Sequence, residues 1–390
     1  MSEIFNSLFL FFKLHPSLNF EAEDFLQDVE KIQTLSHHEE RIWCVSFNNA
    51  GTILASCGED RLLCLWVLEG STWKYAFSSN ENHTRTIRCV SWSPTDRYLA
   101  TASFDGSIAV WRVDVTNGVI DLQTVAVLQG HVSEVKSVAW SRSGYLLATC
   151  GRDKSVWIWE FDDEEDVQCA GVLQPHDADV KSVFWHPIKD ILGSTSYDNT
   201  INLYKEELDD WTVVCKITGH ESTVWKAEFS PDGDYLASVS EDRTIKLWQE
   251  LPMEKSIRWI CLQTLTGYHC GPVFDLSWSP CGHYLATCGG DNSIFVFHLE
   301  SDSNLSVEGS SSMIASPYAC VKKAHKADVN SVSWRPKLWG TKFVDRTPSY
   351  LLVSGGDDRD INLWSVPLNS DTFAEEIVEV VSDENVDDVD

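Results

Sequence analysis

Basic side chains are scarce in this chain. Lys and Arg number 30 against 59 Asp and Glu, which leaves a net charge of −29 at pH 7. Phosphate backbones are bound by clustered cations, so this balance weighs against nucleic acid as a partner. It favours solubility and basic partners. Long apolar runs are missing as well. The stretch from Ile4 to Leu14 is too short to span a bilayer, and it has neither a basic start nor an obvious small-residue cleavage site. Residues 1–28 are therefore expected to be a flexible N-terminal extension with no membrane association, a cryptic targeting segment being the alternative. No C-x-x-C pair occurs among the 12 Cys. Spacing thus suggests neither zinc nor cluster ligation, and no cofactor is expected.

What is present is a period. A His precedes a strand ending in Trp or Phe; Ser or Thr lies four residues before an Asp; an aromatic follows that Asp by six. Six copies space His and Asp by 22 residues: His38/Asp60, His83/Asp105, His131/Asp153, His176/Asp198, His220/Asp242 and His269/Asp291. The seventh, His325/Asp358, is longer by eleven. Seven units of roughly 45 residues account for the chain from Lys31 to Trp364. The pattern resembles the WD40 repeat, and it implies an all-β fold: a seven-bladed β-propeller over residues 29–366. Cys57, Cys150 and Cys288 share one repeat position, three before the Asp, as suits small buried thiols in a reducing compartment.

Each unit reads as three strands and a linking fourth. In the third, Val135, Val138 and Trp140 lie on strand a, Tyr145 to Thr149 form strand b, and Ser155 to Trp159 form strand c. Candidates for strand d include Trp73 to Phe77, Leu122 to Leu128, Trp211 to Ile217 and Trp259 to Leu265. After Trp364 no good fourth strand remains, whereas Lys31 to Leu35 reads as one. This N-terminal segment is expected to complete the seventh blade and close the ring. Glu300 to Ala315, rich in Ser, Asp and Asn, reads as a flexible loop between units six and seven. Trp339 to Ser349 is the insertion in the last unit. Nine acidic residues and no basic one lie between Asp371 and Asp390, so residues 367–390 are expected to be a disordered acidic tail.

The repeated polar residues have a physical reason to coexist. A carboxylate can accept from the donors of a tight b–c turn. His can donate to that carboxylate and accept from Ser or Thr, and an indole N–H can donate to the same hydroxyl. Five units have all four members: His38/Ser56/Asp60/Trp66, His83/Thr101/Asp105/Trp111, His131/Thr149/Asp153/Trp159, His220/Ser238/Asp242/Trp248 and His325/Ser354/Asp358/Trp364. Tyr204 can substitute in unit four; Phe297 loses the donor in unit six. A single Ser–His–Asp set would suggest nucleophilic catalysis, but seven parallel copies speak for structure, and no catalytic residue is expected.

Loops leading into strand a and joining b to c should crowd one end of the central channel. Five residues after each His stand Trp43, Arg88, Lys136, Lys181, Trp225, Phe274 and Asn330. One before each Asp stand Glu59, Phe104, Arg152, Tyr197, Glu241, Gly290 and Asp357. A basic arc (Arg88, Lys136, Arg152, Lys181) should thus face an aromatic arc (Trp225, Phe274, Trp43), with Tyr197 beside the cations. Aromatics and Arg are enriched at binding hot spots. This end is expected to bind an acidic or aromatic-bearing protein segment. Alternatively, the cations pair with Glu134 and Asp179 while the Trp rings plug the channel.

The runs Gly130 to Ser141 (GHVSEVKSVAWS), Arg152 to Glu160 (RDKSVWIWE), Gly219 to Trp225 (GHESTVW) and Ser196 to Trp211 resemble the WD40 scaffold of the cytosolic iron–sulfur protein assembly machinery. The likeness covers Val29 to Trp364. It implies a non-catalytic adaptor joining a small assembly factor with a reactive Cys, a helical-repeat adaptor and a hydrogenase-like cluster carrier. Such a complex docks apo-protein clients for [4Fe–4S] insertion, and it implies a cytoplasmic and also a nuclear location. It singles out Arg152 as a functional position. Leu203-Tyr204-Lys205 stands where some members carry Leu-Tyr-Arg, a tripeptide read by iron–sulfur co-chaperones; Lys lacks the planar fork of Arg. A ubiquitin-ligase substrate receptor or a histone-tail reader is the competing adaptor class. The ligase case would be favoured by W-D-x-R at strand c ends, yet Trp66, Trp111, Trp159, Trp248 and Trp364 are all followed by residues other than Asp.

Overall fold

The computed structural model describes residues 26–116, 119–162, 164–208, 210–251, 257–307, 310–336 and 349–368. The apolar stretch from Ile4 to Leu14, the insertion from Trp339 to Ser349 except Ser349 itself, and the acidic tail after Leu368 lie outside the described residues, whereas Ser349 and Pro367 belong to strands b and c of blade seven. Among the described residues there are seven four-stranded antiparallel sheets and no helix. These sheets are the blades of a β-propeller. In blade three the strands are a, Val135–Trp140; b, Leu146–Gly151; c, Val156–Phe161; and d, Val167–Leu173.

Burial differs by strand for a simple reason. Strand b is covered on both faces by neighbouring blades, so Tyr98–Ser103, Ile191–Ser196 and Tyr235–Ser240 are buried throughout. Their composition is accordingly apolar or small. Strand d lies at the rim and exposes alternate residues, as in Asp210–Thr218. The core is seven apolar seams between adjacent blades. Blades two and three meet through Ala100, Val110, Val138 and Trp159; blades seven and one meet through Leu35, Ile42, Val45 and Leu363.

The ring closes with an N-terminal strand. Glu30–Ser36 pairs antiparallel with Asp360–Pro367 as strand d of blade seven. The join is then stapled across the channel wall. Asn330 Nδ2 donates to the Ile42 carbonyl at 2.9 Å, and the Val45 N–H donates to Ser331 Oγ at 3.2 Å.

One expectation fails. The segment from Glu300 to Ala315 is not a loop between units. Ile294–Val307 and Ser310–Val321 form one long hairpin, strands c and d of blade six, with Ser301 opposite Met313 and Val307 opposite Ser310. Ladder pairing uses backbone groups alone, so a Ser-rich composition that lacks apolar alternation can still extend a hairpin begun by Ile294–Leu299.

Inside the ring one seam carries charge. Lys226 Nζ sits 2.5 Å from Asp275 Oδ1, while Asp275 Oδ2 accepts the Val332 N–H at 3.0 Å. Glu228 is the third member, and its Oε2 is buried without a hydrogen-bond partner. Lys226 is already neutralised by Asp275. Burial, opposed by Lys226 and reinforced by Asp275, pushes the Glu228 carboxyl up to about 7. A carboxyl raised above its unfolded value near 4.3 favours the fold below that value and loses this contribution as pH rises towards 7. Glu228→Gln should therefore raise stability by about 1–3 kcal/mol at pH 8 and change it little at pH 4, measured by urea unfolding. Closure predicts a second outcome. Leu35→Ala should cost about 2–5 kcal/mol in the same measurement, as for any fully packed core Leu, because the last blade depends on this strand.

Candidate functional site

Every blade uses one carboxylate to build its end of the channel. The Asp after strand b accepts the N–H two residues on, as in Asp153 to Ser155 at 3.1 Å, and the N–H after the His, as in Asp153 to Val132 at 3.1 Å. Both bonds recur in all seven blades. The residue after the Asp is forced to positive φ: 69° at Arg61 and Lys154, 68° at Asn199, 67° at Arg243, 62° at Asn292 and 72° at Arg359, with Gly106 at 90°. Six side-chain-bearing residues thus accept a left-handed conformation that costs roughly 1–3 kcal/mol each. The carboxylate's hydrogen bonds are what offset it.

Behind the turn lies the His network. In every blade His Nε2 lies 2.7–3.0 Å from a hydroxyl of strand b, that of Ser56, Thr101, Thr149, Ser194, Ser238, Thr287 or Ser354. The indole of Trp66, Trp111, Trp159, Trp248 or Trp364 donates to the same hydroxyl at 2.8–3.0 Å, on Ser56, Thr101, Thr149, Ser238 and Ser354 in turn. An ionised Asp carboxylate can only accept, so where Nδ1 faces it the imidazole proton is assigned to Nδ1, which leaves Nε2 to accept from the hydroxyl. Blade four substitutes Tyr204, whose hydroxyl is 2.6 Å from Ser194 Oγ. Blade six has the buried ring of Phe297 and no donor at that position. In blade two His83 Nδ1 meets Ser107 Oγ at 3.1 Å and stands 3.5 Å from Asp105. Burial works against the ionised Asp153, but hydrogen bonds from His131, Ser155 and the turn hold it down at about 2.

These network residues do not form a site that a ligand can reach. Ser56, Thr101, Thr149, Ser238 and Ser354 are completely buried, as are Ser194 and Thr287. Strand b is sandwiched between neighbouring blades, and each hydroxyl is already engaged by its His. None can act as a nucleophile or contact a partner. They support the corner from within, and His38, His131, His220 and His325 stand buried beside them.

The channel mouth is made by a second repeated device. In each strand a the register slips between its first and third residues, as between Val135 and Ser137. The extra residue in each bulge is Trp43, Arg88, Lys136, Lys181, Trp225, Phe274 or Asn330. A bulge re-aims a side chain out of the ladder. These side chains meet around the mouth. The Arg88 guanidinium lies over Trp43 at 4.8 Å, the Lys181 ammonium over Trp225 at 4.7 Å, and Trp225 meets Phe274 edge-on at 5.4 Å. The basic and aromatic arcs are therefore joined at both seams by cation–π contacts rather than held apart across the opening.

A cavity of about 400 Å³ opens on the basic side, at blades two to four. Lys136, Arg152, Lys181 and Tyr197 line it as the repeat count implied, together with Phe104, Glu134 and Asp179. Arg85 completes the lining and was not among the expected residues. It stands two after its His, and its guanidinium is held by the Phe104 carbonyl at 2.6 Å and by Glu134 of the next blade at 3.2 Å. Trp43, Arg88, Trp225 and Phe274 lie outside the cavity lining, at the channel mouth. The cations are partly paired. Lys136 Nζ is 2.6 Å from Asp179, Lys181 shares that carboxylate at 3.9 Å, and Arg152 approaches Glu134 at 3.4 Å. Burial, and then repulsion from Lys136, push the Lys181 ammonium down to about 8. Four cations thus share two carboxylates.

Leu203 and Tyr204 are fully buried within strand c of blade four, Thr200–Glu207. Of the tripeptide, only Lys205 is exposed. Among the described residues no group of His, Cys, Asp or Glu could hold a metal ion.

This ring of seven sheets, each with the same stapled turn, defines a WD40-repeat β-propeller. The family model for the WD domain, G-beta repeat, matches residues 29–67, 76–112, 122–160, 167–205, 211–249, 259–298 and 318–365. Relatives named probable cytosolic iron–sulfur protein assembly protein, CIAO1 homolog, from Schistosoma japonicum and Ciao1 from Culex quinquefasciatus are 47% and 42% identical over 87% and 85% of this chain, covering 98% and 96% of their own. Probable cytosolic iron–sulfur protein assembly protein 1 of Candida glabrata is 34% identical over 85% of the chain and 97% of its own length. The chain belongs to this family of cytosolic iron–sulfur protein assembly proteins.

The network predicts an order of effects. Asp153→Ala should cost about 3 kcal/mol or more, since it strands His131 and two turn N–H groups. Trp159→Phe should cost about 1 kcal/mol, because blade six already folds around Phe297. Equal losses on thermal unfolding would contradict this account of the turn.

Proposed function

We propose that this chain is a non-catalytic cytoplasmic scaffold of iron–sulfur protein assembly. It holds assembly factors together with apo-protein clients that receive [4Fe–4S] clusters. The factors are a small one with a reactive Cys, a helical-repeat adaptor and a hydrogenase-like cluster carrier. Family membership supports the assembly role. The burial of every Ser or Thr of the repeated network supports the lack of catalysis.

The observation that carries the docking role is the cavity at blades two to four. It concentrates cations in a chain of net charge −29. Phe104 and Tyr197 supply aromatic walls, and Tyr197 is 60% exposed. An acidic, aromatic-bearing protein segment fits such a surface, with charge giving orientation and rings giving contact area.

Affinity purification from cytosol with mass spectrometry tests both parts. Wild-type protein should recover iron–sulfur assembly factors. Arg85→Glu combined with Arg152→Glu should lose at least one partner by about tenfold or more. Recovery of ubiquitin-ligase adaptors in place of assembly factors would overturn the scaffold reading. An unchanged partner set in the double variant would overturn the docking role of the cavity.

A further inference from the structure

The cavity is built in two tiers. Lys136 and Lys181 form its floor, with side chains only 16% and 10% exposed. Arg85 and Arg152 form its rim, 55% and 61% exposed. Both rim guanidinium groups lean on one carboxylate, Glu134, and both floor ammonium groups on one carboxylate, Asp179. The lining therefore carries an excess of two positive charges.

We infer that this cavity accepts a phosphorylated side chain of a protein partner, a phosphate monoester held between the rim guanidinium and floor ammonium groups. The inference rests on the reading of the cavity as a docking site for an acidic segment, and it specifies the acid. Above its second pKa of about 6 a phosphate monoester is close to a dianion. That charge matches the excess, whereas one carboxylate leaves a positive charge uncompensated. The geometry points the same way. A carboxylate is planar and presents two oxygens; a monoester presents three, spread over a tetrahedral face. The cavity offers donors from below and from the rim, and guanidinium groups fork onto phosphate while ammonium groups act as point charges. Lys181 is crowded by Lys136 and buried, so its charge is costly in the empty cavity. A dianion removes that cost.

The test uses the full chain and two small probes, N-acetyl-O-phosphoserine amide and N-acetyl-aspartate amide. Binding is followed by NMR titration or calorimetry at pH 7.5 and fixed ionic strength. The phosphoserine probe should bind about tenfold tighter or more. Its affinity should fall about tenfold in Arg85→Ala and in Arg152→Ala, two rim variants that leave the buried floor intact. The advantage should shrink at about pH 5, where the monoester is a monoanion. Equal or tighter binding of the aspartate probe, still sensitive to the two Arg, would overturn the phosphate inference and leave the acidic-segment reading standing. Binding of neither probe, or binding indifferent to both Arg, would overturn the two together.

Discussion

One carboxylate per blade holds this molecule's working end in shape. It accepts two backbone N–H groups from different loops, and in six blades it stands within 3.1 Å of an imidazole nitrogen. Through those bonds the b–c turn and the entry to strand a become a single rigid corner. The residue before each Asp and the bulged residue of each strand a are displayed from that corner. The left-handed residue after the Asp is tolerated only because the corner over-determines it. Loss of the carboxylate thus releases a loop, a buried imidazole and a strained turn together.

Seven such corners make a platform that is nearly symmetric in backbone and asymmetric in chemistry. Turn, network and seam residues are committed to the ring. The bulge and the position before the Asp are free to differ, and the bulge differs in blocks: cations at blades two to four, aromatics at blades five, six and one. In a chain so acidic, a local positive cavity is held against the overall field. Glu134 and Asp179 make that possible by taking up part of the repulsion.

Much of this was readable in the chain. The period revealed the blades, because a hydrogen-bond network with fixed geometry demands fixed spacing. The missing fourth strand after Trp364 revealed the N-terminal closure. Tyr204 was readable as a stand-in for Trp, since its hydroxyl reaches the same partner. Other features were hidden. The hairpin from Ile294 to Val321 was masked by polar residues, whose composition says nothing about backbone pairing. Arg85 had no repeated signal at its position. The bulge that turns Trp43 and its equivalents to the mouth leaves no mark beyond the residue count.

By itself the sequence determined the number of blades, the corner that each one carries and the buried place of its Ser, His and Trp. Those are consequences of short-range spacing and of the cost of unsatisfied polar groups, and both act within a single repeat. Only the tertiary structure decided which side chains share a cavity. Arg85 of blade two and Arg152 of blade three meet on one carboxylate, and Lys136 and Lys181 on another, because closing the ring sets neighbouring blades at a fixed angle and distance. Electrostatic sharing falls off over a few ångströms, so it depends on that angle and not on the order of residues along the chain.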